Sequence, residues 1–198
     1  MATVNLDELR LTILAAAEER FRTYGYNKTT MVEIAQDCGC SAANLYRYFP
    51  SKQDIAEAVS LRCMNDRVDA LREVIRQPNA SAEQRLRSYV TQNLKYTQEI
   101  YADSPKIIEL VAYMLEQRQG LVHEKIRAQC SLIAEILAYG NETGEFVIND
   151  VITTAQTVYA ALTAYDVPIF HTLYSPEEFE EMASNTVDLL LKGLARRE

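Results

Sequence analysis

The sequence lacks the features that mark a metal-binding, membrane-spanning or secreted protein. Its 198 residues include two histidines and four cysteines, and no CxxC pair is present. His123 and His171 are far apart and lie in no ligand-spaced cluster, so we expect no metal site and no cofactor. No apolar run approaches the ~20 residues of a membrane span, and the start of the chain does not resemble a signal peptide. We therefore expect a cytoplasmic protein with no membrane partner.

Common enzyme motifs are also missing. The sequence contains no GxSxG, P-loop, GxGxxG or HExxH pattern. We therefore predict that the protein is not an enzyme, and keep a helical enzyme as one alternative interpretation. A duplex-binding test with strong salt dependence separates the two classes, because a DNA-binding regulator shows such binding and an enzyme does not.

No segment alternates apolar and polar residues in the way that marks strands joined by hairpin turns. Apolar residues recur instead at helical spacing, between capping residues and glycine or proline breaks. The sequence predicts an all-α protein of about nine helices. We expect a three-helix helix-turn-helix DNA-binding domain over residues 7–67. An antiparallel helical ligand-binding and dimerisation domain is predicted over residues 68–198.

Residues 30–49 have the pattern of a helix-turn-helix. Thr30 and Glu33 form a capping box that begins one helix, and Gly39 can take the left-handed conformation that ends it. Ser41 then caps a second helix. Two helices joined by about four residues around a glycine are typical of this motif, whose second helix enters the DNA major groove.

The second helix of this pattern carries side chains suited to reading DNA. Small residues at its start allow the backbone to approach the bases. Asn44 can bond a base edge, and Arg47 can reach a guanine or a phosphate. The tyrosine hydroxyls of this helix can reach the phosphate backbone. At the start of the first helix, threonine hydroxyls and free backbone N–H groups can bind a phosphate.

Net charge does not exclude DNA as a partner. The chain carries −8 overall, but residues 1–62 hold seven Lys/Arg and eight Asp/Glu, whereas residues 63–198 hold thirteen and twenty. The acidity therefore lies in the part that need not touch DNA. Binding must depend on the local placement of basic side chains near the motif.

The stretch from Ile13 to Ile55, ILAAAEERFRTYGYNKTTMVEIAQDCGCSAANLYRYFPSKQDI, resembles the amino-terminal domain of the TetR family of bacterial transcription regulators. The family pattern includes Gly25-Tyr26, Ile34-Ala35 and Ser51-Lys52, and every position of it is filled here. The resemblance covers about a quarter of the chain. The remainder resembles the family only in its length and helical character.

The resemblance implies a regulator that binds double-stranded DNA as a homodimer. It implies a repressor released from a palindromic operator by a small ligand, and it implies a phosphate contact for Lys52. That contact would offset the unfavourable position of a lysine in the first turn of a helix. The predicted DNA-binding residues are Thr29, Thr30, Ala42, Ala43, Asn44, Tyr46, Arg47, Tyr48 and Lys52.

Helix faces after residue 80 combine aromatic rings with hydroxyls and amides, as a ligand pocket requires. Because these faces offer aromatic walls within an acidic domain, we expect an unknown small-molecule effector that is apolar or cationic. The candidate lining was chosen by helical facing and residue type. It comprises Tyr89, Asn93, Tyr96, Tyr113, Met114, Gln117, Cys130, Ile133 and Tyr159. For any single tyrosine, a place at the edge of the core is the competing interpretation.

The last two predicted helices are apolar on more than one side, which indicates burial within the subunit or contact with a partner. In the TetR family the last two helices build a four-helix dimer interface, and the pattern is compatible with that arrangement. The candidate interface residues are Ile152, Ala155, Leu162, Phe179, Met182, Thr186, Leu189 and Leu190.

The four cysteines permit two interpretations. Reduced structural thiols are the simpler one, and they agree with a cytoplasmic location. A thiol-redox-sensing regulator of the same fold is the alternative, with Cys130 on a core helix as its best candidate.

Overall fold

The structure, a computed structural model, describes residues 6–104 and 106–195. Over these residues the chain is helical, and its one β contact is an isolated bridge between Phe146 and Ala195. A 3-10 helix, Pro168–Thr172, precedes the last α-helix. The nine α-helices of the described residues are α1 (Leu6–Tyr24), α2 (Met31–Asp37), α3 (Ala42–Tyr48), α4 (Lys52–Ile75), α5 (Ala82–Asp103), α6 (Ile107–Gln117), α7 (Gln119–Thr143), α8 (Val151–Asp166) and α9 (Pro176–Leu194). The all-α prediction is confirmed.

Four helices, α2, α3, α8 and α9, begin where the sequence places capping residues. Thr30 accepts a hydrogen bond from the backbone of Glu33, whose side chain accepts one from the Thr30 N–H. Ser175 and Glu178 form the same reciprocal pair at the start of α9, with proline in its first turn. These caps satisfy N–H groups that have no partner within the helix.

The chain divides into two compact units. The first contains the described residues up to Asn65 together with the segment Asp103–Val122, and the second contains Asp66–Ala102 and the described residues from His123 onward. The structural break at Asn65 lies close to the predicted one at residue 67. The segment Asp103–Val122 differs from the prediction, because the sequence assigned it to the second domain.

α6 belongs to the first unit because its apolar face completes that unit's core. Leu110 and Met114 are buried in one cluster with Phe21, Leu45 and other residues of α1 to α4. A polar rim adds to this packing, since the Lys106 ammonium donates to the Thr23 carbonyl oxygen over 3.0 Å. The apolar period of α6 predicted a buried face but not which core would bury it.

The second unit has a separate core. Its buried side chains come from the second half of α4 and from α5, α7, α8 and α9. Phe146 packs directly on Gly140 in the last turn of α7, where a Cβ atom would overlap the aromatic ring. The absence of a side chain at Gly140 thus lets the chain fold back closely after α7.

Candidate nucleic-acid interface and effector site

The predicted helix-turn-helix is formed by α2 and α3. Cys38 ends α2, and Gly39 has a φ of +67°, which favours glycine at this turn. Ser41 then caps α3 by accepting a hydrogen bond from the Asn44 N–H over 3.1 Å. Leu45 is fully buried and fixes the rotation of α3 about its axis.

With Leu45 directed inward, α3 presents the predicted reading residues on its outer side. Ala43, Tyr46 and Arg47 are exposed, and Tyr46 keeps half of its surface. The remaining three predicted residues of this helix are half-buried: Ala42, Asn44 and Tyr48. Six of the nine predicted DNA-binding residues therefore lie on one short helix, with their side chains at or near the surface.

Ion pairs join α1 to α2 and hold the motif in place. Arg20 approaches Glu33 to 3.2 Å and also bonds Asp37. The bond to Asp37, together with the nearby carboxylates, raises the pKa of the Arg20 guanidinium, although its slight burial opposes this. Both acceptors lie on α2, so this pairing resists rotation of α2 relative to α1.

Thr29 and Thr30 have different surroundings, although they are adjacent. Thr30 is exposed at the start of α2, where a phosphate could approach the first N–H groups. Thr29 is only 2 % exposed, and its hydroxyl donates to the Gly25 carbonyl oxygen over 2.8 Å. This bond occupies the hydroxyl that the sequence assigned to DNA, so in the structure Thr29 shapes the loop between α1 and α2.

Lys52, at the start of α4, bonds the same loop. Its ammonium donates to the Tyr26 carbonyl oxygen over 2.8 Å and lies 4.3 Å from the centre of the Tyr26 ring. Burial lowers the pKa of Lys52, and the charge of Glu109 partly offsets that effect. The Lys52 side chain therefore connects α4 to the loop that precedes α2.

A buried polar network occupies the second unit. The carboxylate of Asp166 on α8 is 1 % exposed and lies 2.7 Å from both the Arg67 guanidinium and the Lys125 ammonium. The Tyr159 hydroxyl donates to the same carboxylate over 3.0 Å. Arg67 also donates to the Asn93 side-chain oxygen over 2.9 Å. The network therefore joins α4, α5, α7 and α8.

The charges of this network control its ionisation. Burial raises the pKa of Asp166, but Arg67 and Lys125 outweigh burial and hold that pKa below its usual value. Burial lowers the pKa of Lys125, although Asp166 opposes this. Two cationic side chains thus share one carboxylate in a region with little solvent.

Gln129 lies one helical turn after Lys125 and has an unusual environment. Its side-chain oxygen accepts a hydrogen bond of 2.5 Å from the Tyr89 hydroxyl. Its Nε2 is buried and has no hydrogen-bond partner among the described residues. A buried donor without a partner is uncommon and calls for a specific explanation. Because residues four apart share a helix face, Nε2 and the Lys125 ammonium lie on the same side of α7.

The candidate ligand residues fall into two groups. Asn93 and Tyr159 belong to the Asp166 network, and Tyr89 bonds Gln129. The Arg67 guanidinium lies over the ring of Tyr96, 4.8 Å from the ring centre. Cys130 and Ile133 pack in the core of the same unit. These six residues thus share one unit.

The other three candidates lie in the first unit. Tyr113 stacks on Tyr26 with ring centres 4.6 Å apart, Met114 is buried in the first core, and Gln117 ends α6. These three candidates therefore belong to a different compact unit from the other six. Their helical facing was compatible with a pocket, but it could not show which core α6 joins.

Sequence reasoning missed four residues: Arg67, Lys125 and Asp166 of the network, and Gln129, which lies one turn from Lys125. One signal was available, because Asp166 ends an otherwise uncharged helix and a buried carboxylate requires cationic partners. The partners themselves come from distant parts of the chain, so the sequence pattern could not identify them.

The predicted dimer residues divide by exposure. Ala155, Leu162 and Phe179 are at most 3 % exposed and belong to the core of their own subunit. Leu190 is half-buried against that core, and Thr186 shares a hydrogen bond of 2.8 Å with the Tyr165 hydroxyl. Three candidates remain available to a partner: Ile152 at 64 %, Met182 at 39 % and Leu189 at 72 % exposure.

An open groove of about 600 Å³ runs between α5 and α9. Its floor is apolar, with Val90, Leu94 and Val187 among its residues, and charged side chains form its rim. None of the nine candidate ligand residues lines it. Elsewhere in the described residues, no three histidine, cysteine or acidic side chains are grouped as a metal site would require. No described helix is both long and apolar enough to span a bilayer.

Two family models match this chain. The model of bacterial regulatory proteins of the tetR family matches residues 13–59, and that of the tetracyclin repressor-like C-terminal domain matches residues 82–187. The second match alone covers more than half of the chain. The protein belongs to the TetR family. The resemblance seen in the helix-turn-helix is thereby confirmed and extended to the carboxy-terminal part.

Curated proteins with similar sequences are transcription regulators rather than enzymes. The transcriptional activator FasR of Mycolicibacterium smegmatis is 38 % identical over 84 residues, which are 42 % of this chain and 38 % of FasR. The regulator UidR of Escherichia coli K12 is 28 % identical over 131 residues, 66 % of this chain and 51 % of UidR. The matches thus span about half or less of these relatives.

A TetR-family repressor of known structure shares the fold. FadR of Thermus thermophilus, solved in complex with lauroyl-CoA, has a TM-score of 0.67 and 22 % identity. The similarity covers 96 % of each chain. At this identity the comparison establishes the architecture alone.

The ion pairs of Asp166 generate a prediction about stability. We expect Asp166→Asn to lower the free energy of unfolding by about 3–5 kcal/mol, because it leaves buried cations without their counter-charge. Asp69→Asn is the matched control, since Asp69 pairs with Arg72 at an exposed position and should change stability by less than about 1 kcal/mol. Urea unfolding followed by circular dichroism measures both. Equal effects would show that the buried pairing contributes no more than a surface pair.

Proposed function

We propose that this TetR-family protein binds a palindromic duplex operator as a homodimer and is released from it by a small molecule. The proposal rests on the surface of α3. Asn44, Tyr46 and Arg47 lie on the outer side of this helix, and the buried Leu45 fixes its rotation. A helix-turn-helix places such a surface in the major groove. Repression rather than activation follows the family resemblance, and FasR shows that related proteins include an activator.

The operator test separates base reading from phosphate binding. Asn44→Ala should relax specificity at one base position at a cost of about 1–3 kcal/mol. Lys52→Ala should weaken all duplexes alike and reduce the salt slope by about one phosphate contact. Binding to duplexes selected from a random pool, measured by fluorescence anisotropy at several salt concentrations, distinguishes these effects.

Lys52 also bonds the loop before α2, so its loss could disturb folding. A thermal melt of Lys52→Ala, and the variant Lys52→Arg, control for this: arginine keeps the charge and should retain most of the affinity. A change of preferred sequence in Lys52→Ala would contradict its assignment to a phosphate. Selection of no duplex by the native protein would contradict the proposed function.

We propose that α8 and α9 form the dimer contact through Ile152, Met182 and Leu189, the exposed members of the predicted set. Two recognition helices held about 34–36 Å apart by a two-fold axis can read successive turns of DNA. Exposed apolar side chains on both helices provide the kind of surface that such an association buries.

Leu189→Arg should weaken the dimer about a hundredfold or more, because it introduces an unpaired charge into the contact. Leu189 is a better position for this substitution than Leu190, because Leu190 packs against the core of its own subunit. Leu115→Arg, at a leucine of α6 that is 48 % exposed, is the control and should leave association unchanged. Sedimentation velocity over a concentration series measures both. A dimer that persists in Leu189→Arg would move the contact elsewhere.

The effector is proposed to bind in the second unit, at the face of α7 that carries Lys125 and Gln129. The sequence led us to expect an apolar or cationic molecule. In the structure, two cations already share the Asp166 carboxylate, and the Gln129 Nε2 has no hydrogen-bond partner within residues 6–104 and 106–195. An apolar molecule with one acidic group fits these charges better than a cation, because it can bond Lys125 and Gln129 together.

Release would then follow from a population shift. A ligand that bonds Lys125 competes with Asp166 and favours a different arrangement of α4, α5, α7 and α8. The chain connects the two units at three points. α4 begins in the first unit and ends in the second, and the segment that contains α6 belongs to the first unit, although the chain before and after it belongs to the second. A ligand can shift this equilibrium only by its difference in affinity for the two states, typically about 1–3 kcal/mol.

Lauric acid and dodecylamine test the charge of the effector, because they share a chain length and differ in sign. Lauroyl-CoA bound to the Thermus thermophilus FadR motivates the twelve-carbon chain. We expect lauric acid to raise the melting temperature, by about 2–4 °C per kcal/mol of binding, and dodecylamine not to raise it. Lys125→Met should remove the effect of lauric acid, whereas Lys95→Met, at an exposed lysine of α5, should retain it. Stabilisation by dodecylamine alone would favour the cationic effector instead.

A further inference from the structure

Two cysteines face each other in the turn of the helix-turn-helix. The Sγ atoms of Cys38 and Cys40 lie 3.2 Å apart, within the range of a hydrogen bond between thiols. Both side chains are half-buried, and both pack against the core of the first unit. The residue between them, Gly39, has a φ of +67° and turns the chain so that the flanking side chains meet.

The geometry lets these sulfur atoms join. A disulfide has an S–S length of about 2.05 Å, so the two atoms need to approach by roughly 1 Å. The space beside Gly39 is open, because a Cβ atom built there would meet nothing within 4 Å. The turn is therefore open on one side, while the thiols rest on the core on the other.

We propose that Cys38 and Cys40 form a reversible dithiol–disulfide pair, which low-molecular-weight disulfides oxidise and which weakens DNA binding when closed. The effect on DNA rests on the proposed function of α3, whereas the chemistry of the pair does not. The pair is distinct from Cys130, the cysteine that the sequence alone favoured. Burial raises the pKa of both the Cys130 and the Cys40 thiols, so the proposal rests on the 3.2 Å contact between Cys38 and Cys40 rather than on acidity.

The oxidation proceeds by two thiol–disulfide exchanges. One cysteine of the pair, as a thiolate, attacks a sulfur of the small disulfide, forms a mixed disulfide and releases one small thiol. The second cysteine then attacks the sulfur of the first, forms the Cys38–Cys40 bond and releases the other small thiol. Two protons leave the protein thiols and end on the two released thiols. The protein pair supplies two electrons, and the small disulfide accepts them.

Cys40 is suited to the second exchange rather than to the first attack. Burial, together with the hydrogen bond from the neighbouring thiol, raises the pKa of Cys40 to about 11. Cys40 is therefore protonated at neutral pH and reacts slowly with reagents in solution. Once Cys38 carries a mixed disulfide, however, its sulfur lies beside Cys40, and proximity favours closure over a persistent adduct.

Closure acts on the ends of both helices of the motif. Cys38 is the C-cap of α2, where its N–H donates to the Ile34 carbonyl oxygen over 3.0 Å. The Cys40 N–H donates to the Ala35 carbonyl oxygen over 2.9 Å, and Ser41, which caps α3, follows directly. A covalent bond that draws the two sulfurs together pulls on these caps and so shifts α3 relative to α2. Contacts to base edges depend on that position.

The experiment treats the full chain with excess oxidised glutathione at neutral pH and maps the product by mass spectrometry. Trypsin should release residues 29–47 as one peptide, because no lysine or arginine lies between Lys28 and Arg47. We expect this peptide to lose two hydrogens and to carry no glutathione. Duplexes selected with the reduced protein should bind the oxidised protein about fivefold or more weakly, and dithiothreitol should restore their affinity.

Serine variants supply the controls. Cys38→Ser and Cys40→Ser should bind DNA as the reduced native protein does. Cys40→Ser should keep a stable glutathione adduct at Cys38, whereas Cys38→Ser should react only slowly at Cys40. The double variant Cys63→Ser/Cys130→Ser should behave as the native protein in both assays. Melting temperatures confirm that the variants fold.

Two results would overturn the proposal. One is a native protein that keeps separate glutathione adducts, or none, at Cys38 and Cys40. The other is a closed pair that binds the selected duplexes as tightly as the open pair. A reduced protein that selects no duplex would instead contradict the proposed DNA binding, and the mass measurement would still decide whether the pair closes.

Discussion

The buried carboxylate of Asp166 is the constraint on which the second unit depends. Its partners come from three other helices: Arg67 on α4, Asn93 on α5 and Lys125 on α7. A charge removed from water is tolerated only when it is paired and hydrogen-bonded. These helices must therefore hold one register, and any ligand that bonds one member changes what the others require. The same network thus joins four helices of the unit, and it is where we propose that an effector acts.

The first unit is organised around a different requirement, the fixed rotation of α3. Leu45 sets that rotation from within, and the bonds of Arg20 to α2 support it from outside. α6 contributes as well, since the Glu109 carboxylate accepts a hydrogen bond of 2.9 Å from the Asn27 N–H in the loop before α2. The loop before α2 is therefore supported by a residue far along the chain. The hydrogen bond between Glu109 and Asn27, in addition to α4, would let the segment around α6 take part in the proposed release of DNA by an effector.

Local signals predicted the local structure well. Thr30 with Glu33, Ser41 and Gly39 placed α2, the turn and α3, because capping and left-handed turns depend on neighbouring residues. The same reasoning failed to separate Thr29 from Thr30. Both hydroxyls suit a phosphate, but only the fold shows that the Thr29 hydroxyl bonds the Gly25 carbonyl oxygen. Local pattern identifies the residue types of a site and leaves their orientation open.

The sequence by itself determined the helical class, the helix-turn-helix and the residues on its second helix, because each depends on periodicity and capping over a few turns. Only the tertiary structure decided that α6 packs with the first core and that Asp166 pairs with cationic side chains from distant helices. It also decided that the Sγ atoms of Cys38 and Cys40 lie 3.2 Å apart. Each of these facts depends on which faces meet after folding. An apolar stripe specifies that a face will be buried, but the complementary shapes and charges of all the helices together decide its partner.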